Sequence, residues 1–422
     1  MNQFFLAFLR PAWPLVALSL LALAGCGQSS GEVAFKLNLE GQETDEMVVE
    51  RMKEQAAKLR AEGKEEEADA LEESIAPFIE ERRVQRQAVT DGVTALFGTP
   101  DEPYDLNEFT ASGLDYKKLL MAAGPVSGDR HGQRTGLYRE HCVHCHGISG
   151  DGAGHTAIFL KPYPRDYRRG TFKFTSTAAG MRPTAEDLRT VLRHGVPGTA
   201  MPSFGLLPPD EIEALAEYVK YLAIRGESEL LLRGLIVDED EKLTRDLLVE
   251  SVESVVAGWN EAADAVVAPP QRKPLTDEQL VESIEAGRKL FMDEQVVKCV
   301  GCHGPTGLGD GGTVNYDDWN KPKSELSPEF VAETYALPVQ LNEPRNLRLG
   351  VYRGGRRPVD LYRRIHASVK GSGMPNFGPS GGNKGTLTDE QIWSLVDYVM
   401  SLPYDPQSNP FDQQAAAQRS VN

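Results

Sequence analysis

Cysteine is scarce in this chain, with five in 422 residues. Four sit in two short motifs and the fifth, Cys26, closes an apolar segment, so none is left over for a disulfide. Cysteine content therefore says nothing about an oxidising compartment, and location has to be argued from the N-terminus. The apolar run at 15–24 is too short to cross a bilayer comfortably. No phosphate-cradling loop and no nucleophile–base pair stands out anywhere, which argues against a separate hydrolytic or phosphoryl-transfer activity. What remains is ordinary in bulk: 40% hydrophobic, 25% charged, and a length that suggests two or three domains.

The four motif cysteines are the informative ones. Cys142-Val143-His144-Cys145-His146 and Cys299-Val300-Gly301-Cys302-His303 share one pattern, Cys-X-X-Cys-His. Two cysteines three apart can each form a thioether to one haem vinyl group, and the next histidine then lies against the iron. A shared zinc is the competing reading. The pairs begin 157 residues apart, far beyond the intervals of zinc ribbons, which also do not require histidine after both pairs. Two covalently bound haem c groups are expected.

Charge is unevenly spread. The chain carries −17 in total. The segments 32–90, 91–127 and 226–270 hold −7, −4 and −8, whereas 128–225 is +3, 271–422 is −2 and Arg10 adds +1. Acidity thus belongs to the flanks of the two motif regions. These flanks can steer a partner at long range but do not define an acidic haem face. No nucleic-acid partner is expected.

At the N-terminus, Arg10, the short apolar run and the small residues after it have the layout of an export signal. Leu23-Ala24-Gly25-Cys26 resembles the bacterial lipoprotein processing signal. That resemblance implies cleavage after residue 25, lipidation of Cys26 and attachment to the periplasmic side of a bacterial membrane without a spanning helix.

Both pentads head the same order of elements. A glycine and an aromatic precede each: Gly136 with Tyr138, and Gly287 with Phe291. Glycine-rich loops follow at 150–154 and 307–311, then Pro164-Arg165 and Pro344-Arg345. Next come Met201-Pro202-Ser203-Phe204-Gly205 and Met374-Pro375-Asn376-Phe377-Gly378. Each copy ends in an amphipathic pattern, Ile212, Leu215, Ala216, Val219 and Leu222 in the first and Ile392, Leu395, Val396, Val399 and Leu402 in the second. Thr388 with Gln391 reads as a capping box.

This order resembles the class I cytochrome c domain, a small all-helical fold around one haem, and the resemblance covers about 128–225 and 275–404. It implies that Tyr138 crosses near Tyr218 and Phe291 near Tyr398. It also implies distal ligation by Met201 and Met374, with His146 and His303 proximal and Cys142, Cys145, Cys299 and Cys302 holding the porphyrins. Met/His ligation raises the reduction potential because a soft thioether favours ferrous iron. In that family a proline carbonyl fixes the proximal histidine, here Pro162 or Pro164. Arg165 and Arg345 suit haem propionates, or else surface ion pairs. Gly198, and Gly371 with Gly373, let the chain approach the porphyrin closely. His194 and His366 read as cations at helix C-termini rather than as ligands.

The expected fold is all-α: a signal at 1–25, an acidic, partly helical region at 26–127, and a first cytochrome domain at 128–225. An acidic helical linker at 226–274 leads to a second domain at 275–404 and a flexible tail at 405–422. Residues 43–88 read as a helical arm or helix pair and 230–256 as a helix. The stretch 313–342, with Trp319 and Pro322, reads as an insertion. The expected function is one-electron transfer between redox-protein partners, a donor and an acceptor, with the catalytic set empty. The alternatives are a fixed subunit of a dehydrogenase or oxidase complex, and a dihaem peroxidase. Two equivalent Met-Pro motifs count against the last.

Overall fold

The structure is a computed structural model that describes residues 33–36, 38, 42–128, 132, 134–239, 241–317, 337–379 and 385–405. Cys26, Trp319, Pro322 and the tail beyond Asp405 lie outside the described residues. The chain divides into two units, Met1–Ala34 and Phe35–Asn422, and every described helix belongs to the second.

The described architecture is helical. An N-terminal set comprises α1 (Gln42–Ala61), α2 (Glu65–Glu73), α3 (Ile75–Phe97) and α4 (Tyr116–Ala122). Two-residue strands β1 (Ser127–Gly128) and β2 (Arg134–Thr135) pair antiparallel. The first pentad starts at Cys142, just after α5 (Leu137–His141), and continues on α6 (Val143–His146), followed by α7 (Ala185–His194) and α8 (Pro209–Arg233). After α9 (Arg245–Asn260), the second pentad lies between α10 (Asp277–Phe291) and α12 (Pro358–Ala367), on α11 (Cys299–His303). The chain closes on α13 (Asp389–Ser401).

The flanks depart from the expected plan. The arm is three helices, because Gly63 at φ +77° and the short segment at Ser74 break the periodicity that the sequence shows as nearly continuous. The expected helix at 230–256 is also broken. Here α8 runs on to Arg233, ends in a π turn at Gly234–Asp238, and the chain restarts at Thr244, whose side chain caps α9.

Nor do these flanks stand apart from the first domain. Val89, Val93, Leu96 and Phe97 of α3 and Val252, Val255, Val256 and Trp259 of α9 share one core with Tyr138, Leu215, Tyr218 and Leu222. Tyr218 donates to the Pro100 carbonyl at 3.1 Å and Trp259 donates to Glu227 at 2.7 Å. Glu227 also pairs with Arg182. A domain of about 100 residues buries a smaller share of its surface than a larger one, and recruiting two further helices enlarges the buried area.

A second core gathers Phe291, Leu347, Tyr352, Leu361, Ile392, Leu395, Val396 and Val399. Its centre is the crossing of α10 on α13. Gly287 permits that crossing, since a Cβ there would stand 1.9 Å from the Ser394 carbonyl oxygen. Thr276 with Gln279, and Thr388 with Gln391, form capping boxes that start the two helices. The aromatic crossings fall where the resemblance places them: Tyr138 to Tyr218 at 4.9 Å and Phe291 to Tyr398 at 5.3 Å between ring centroids.

Candidate haem centres

The two pentads are held by one hydrogen-bond pattern used twice. In the first, Gly152 N–H donates to the His146 carbonyl, Gly154 to Cys145, and Tyr167 to Gly150. In the second, Gly309 donates to His303, Gly311 to Cys302, and Leu347 to Gly307. The glycines are needed for space as well as torsion. A Cβ on Gly154 would lie 2.4 Å from the His144 carbonyl oxygen, and one on Gly311 would lie 2.3 Å from that of Gly301. The loops therefore wrap tightly around the short helix that presents each histidine.

Each histidine is oriented by the carbonyl that follows a proline. His146 Nδ1 lies 3.1 Å from the Arg165 carbonyl oxygen, and His303 Nδ1 lies 3.4 Å from that of Arg345. This corrects the expectation that Pro162 or Pro164 supplies the acceptor. The acceptor is one residue further on in both copies, with Pro164 and Pro344 setting the chain direction. With Nδ1–H donating to a carbonyl, Nε2 is the nitrogen left to face a metal. Burial pushes the His146 imidazole down to about 4 and lowers that of His303 as well, so both rings are neutral at physiological pH. Tyr167 stacks on His146 at 4.7 Å.

A cavity of about 390 Å³ opens beside the first pentad. It is lined by Cys142, Cys145, His146, Arg165 and Met201, with Tyr163, Leu188, Leu192, Phe204 and Val219 forming much of its apolar wall. The second cavity, about 220 Å³, is lined by Cys299, Cys302, His303, Arg345 and Met374 against Leu361, Ile365, Leu395 and Val399. The structure thus brings each thiol pair, imidazole and methionine to one cleft, although 55 and 71 residues separate the histidines from the methionines. Phe204 N–H donates to the Leu192 carbonyl at 2.9 Å and Phe377 N–H to that of Ile365 at 3.2 Å, anchoring the two methionine loops alike. Burial pushes the Cys142 thiol up to about 12 and that of Cys299 to about 11, so neither rests as a thiolate.

His194 and His366 line neither cleft. His194 is exposed at the end of α7, whereas His366 is buried against Tyr362 with its pKa lowered by desolvation. His366 is therefore neutral, which corrects its reading as a helix-capping cation. Gly198 also makes room for a neighbour from the other domain. The open space at its α-carbon is filled by the Arg345 guanidinium of the second domain, 2.7 Å from where a Cβ would stand.

Sequence reasoning missed three residues of the site. Lys173, Phe174 and Arg353 line both cavities. Nothing in the repeat marks them, because they lie in the connecting segments after each Pro-Arg motif.

Comparison with known proteins agrees with this geometry. The family model for cytochrome c oxidase, cbb3-type, subunit III matches residues 130–219, and that for cytochrome c matches residues 284–403. No curated protein matches the chain. Among solved structures, a chain of the Kuenenia stuttgartiensis reducing HAO-like protein complex is similar at 24% identity. The match covers 63% of this chain and 94% of that one, with a TM-score of 0.45. Two cytochrome c-type domains in tandem place the chain among the c-type cytochromes. It is a dihaem c-type cytochrome, an all-α haem electron carrier with two covalently bound c-type haems.

The residues present fit two such groups. Each cleft offers a thiol pair, a neutral imidazole and a thioether against an apolar wall. Each also has a guanidinium Nε, on Arg345 or Arg353, that is buried without a hydrogen-bond partner and is suited to a carboxylate.

Proposed function

We propose that the protein passes single electrons between redox-protein partners on the periplasmic side of a bacterial membrane, held there by lipid on Cys26. In this reading Cys142 and Cys145 attach one porphyrin and Cys299 and Cys302 the other. His146 with Met201 would hold one iron, and His303 with Met374 the other. A bound haem supplies the one-electron ferric–ferrous couple. The protein's part is to keep each imidazole neutral and aimed through the Arg165 or Arg345 carbonyl, and to close the cleft with apolar side chains. The observation that carries the reading is that each cleft draws its histidine and its methionine to one cavity through the same pair of anchored loops.

A redox titration of the purified protein, followed by visible and near-infrared absorption, tests it. Two haems are expected, each with a thioether-to-iron transition. Met201→Ala and Met374→Ala should each remove one transition, lower one potential and open one iron to small ligands. Carbon monoxide binding by the wild-type protein at rest would overturn the closed His/Met sites, and a peroxide-reactive high-spin haem would favour the peroxidase.

A second reading, as a fixed subunit of a redox complex, has one observation in its favour. The acidic helices α1 and α2 pack mainly on one another, tied by Arg60 to Asp69 and Glu72, and present largely exposed, charged surfaces. Stable co-purification with a second protein after detergent extraction would support it.

A further inference from the structure

The two clefts share a wall that is unusually rich in positive charge. Arg165 lines the first cavity, Arg345 the second, and Lys173 and Arg353 line both. Acids nearby are already engaged. Glu343 pairs with Lys161 at 2.7 Å, and Asp187 is taken up by the Thr184 cap and by Ser176. Asp317 pairs with Lys173. The cations also repel one another: burial and the neighbouring Arg345 lower the Arg353 pKa, and Lys173 is pushed down to about 8, chiefly by burial and further by Arg165 and Arg353.

Packing holds this cluster in place rather than letting it spread into solvent. A Cβ on Gly354 would stand 2.6 Å from the Phe174 ring, and Gly198 abuts the Arg345 guanidinium. Arg353 reaches the Gly198 carbonyl at 3.4 Å, and Arg165 reaches the Lys370 carbonyl at 3.5 Å, so each domain's arginine touches the other domain. Asp317 offsets part of this charge at Lys173 and Arg353, and the buried Nε groups of Arg345 and Arg353, which have no hydrogen-bond partner, favour a further anion here.

We propose that Arg353 is a shared positioning residue, binding a carboxylate from each of the two haems at the junction of the clefts, so that the two reduction potentials are set together. The proposal rests on the two-haem reading above. A cation fixed beside both porphyrins disfavours the more positive ferric state of each.

The test is a redox titration of the full-length holoprotein carrying Arg353→Gln, Arg353→Lys or, as a remote control, Arg83→Gln on the exposed face of α3. In Arg353→Gln both midpoints should fall by about tenfold in each one-electron equilibrium, ~59 mV. Arg353→Lys keeps the charge but not the fork, and should move both midpoints down by less. Arg83→Gln should move neither. A shift confined to one haem, or no shift in either Arg353 variant, overturns the proposal. If Arg353→Gln does not retain two haems, the lysine variant decides by the same criterion. The thioether-to-iron transition, read in the same spectra, separates the two questions. Its absence from wild type sinks the His/Met reading, whereas its presence with unmatched shifts sinks only the shared arginine.

Discussion

Replacing Gly287 by alanine sets two effects of opposite sign against each other. Alanine is the better helix former by about 1 kcal/mol in a helix interior. Sterics oppose it, because the new Cβ would stand 1.9 Å from the Ser394 carbonyl oxygen and 2.9 Å from the Tyr398 Cβ. The first obstacle is backbone in α13 and cannot rotate away, so the helices must separate by more than 1 Å to reach ordinary contact distance. That separation loosens Phe291 against Tyr398 and the core around Ile392 and Val396. Overpacking of this kind costs about 1–3 kcal/mol or somewhat more, which outweighs the propensity gain. The matched control is Gly234→Ala. Gly234 has helical torsions and nothing within 4 Å of the Cβ position, so alanine there should stabilise by about 0.4–1 kcal/mol. Thermal unfolding of the holoprotein, followed by helical circular dichroism and by Soret absorbance, reads both. A neutral or stabilising Gly287→Ala would refute the claim that close approach of α10 and α13 organises the second domain.

Two further perturbations test the first domain and the contact between domains. Tyr138→Phe removes a buried hydroxyl that donates to the Gly147 carbonyl at 2.9 Å; Gly147 keeps a weaker bond from Gly150 at 3.3 Å. The loss should be about 1 kcal/mol in chemical denaturation, with exposed Tyr104→Phe near zero, and equal effects in both would sink the assignment. Lys370 of the second domain donates to Thr177 Oγ1 at 3.1 Å and to the Met181 carbonyl of the first, and burial pushes its pKa from 10.5 down to about 8. Between those values the unfolded chain binds the extra proton, so stability from this group rises with pH across the window and the burial penalty is fully present below pH 8. Wild type should gain on Lys370→Met from pH 8 to 10.5, by at most roughly 3 kcal/mol. A difference that stays flat or falls would be the contrary result.

Much of the fold was legible because its signals are local. The amphipathic stripe of α13 and the capping box at Thr388 lie within a few turns of chain, and both appear as read. The aromatic crossings came from the family resemblance, which the pentads and Met-Pro motifs carry along the chain. The flanks were misjudged for a physical reason. Their apolar residues, such as Val93 and Val252, are spaced for a helix whether that helix stands free or joins a core. Only packing against α8 shows which. The carbonyl beside His146 belongs to Arg165, not to Pro162 or Pro164, because the rotation of a loop about its own axis leaves no periodic trace in sequence.

By itself the sequence determined the covalent chemistry: two thiols and an imidazole must lie within one turn of chain to serve one porphyrin, so the pentads declare it. It also determined the duplication, since element order is a one-dimensional property. Tertiary structure alone decided that Arg165 and Arg345 present carbonyls to the histidines, and that Lys173, Phe174 and Arg353 form a wall common to both clefts. Lys173 and Arg353 lie 180 positions apart, and which distant side chains share a cavity depends on how two packed domains meet, a relation that no local pattern encodes.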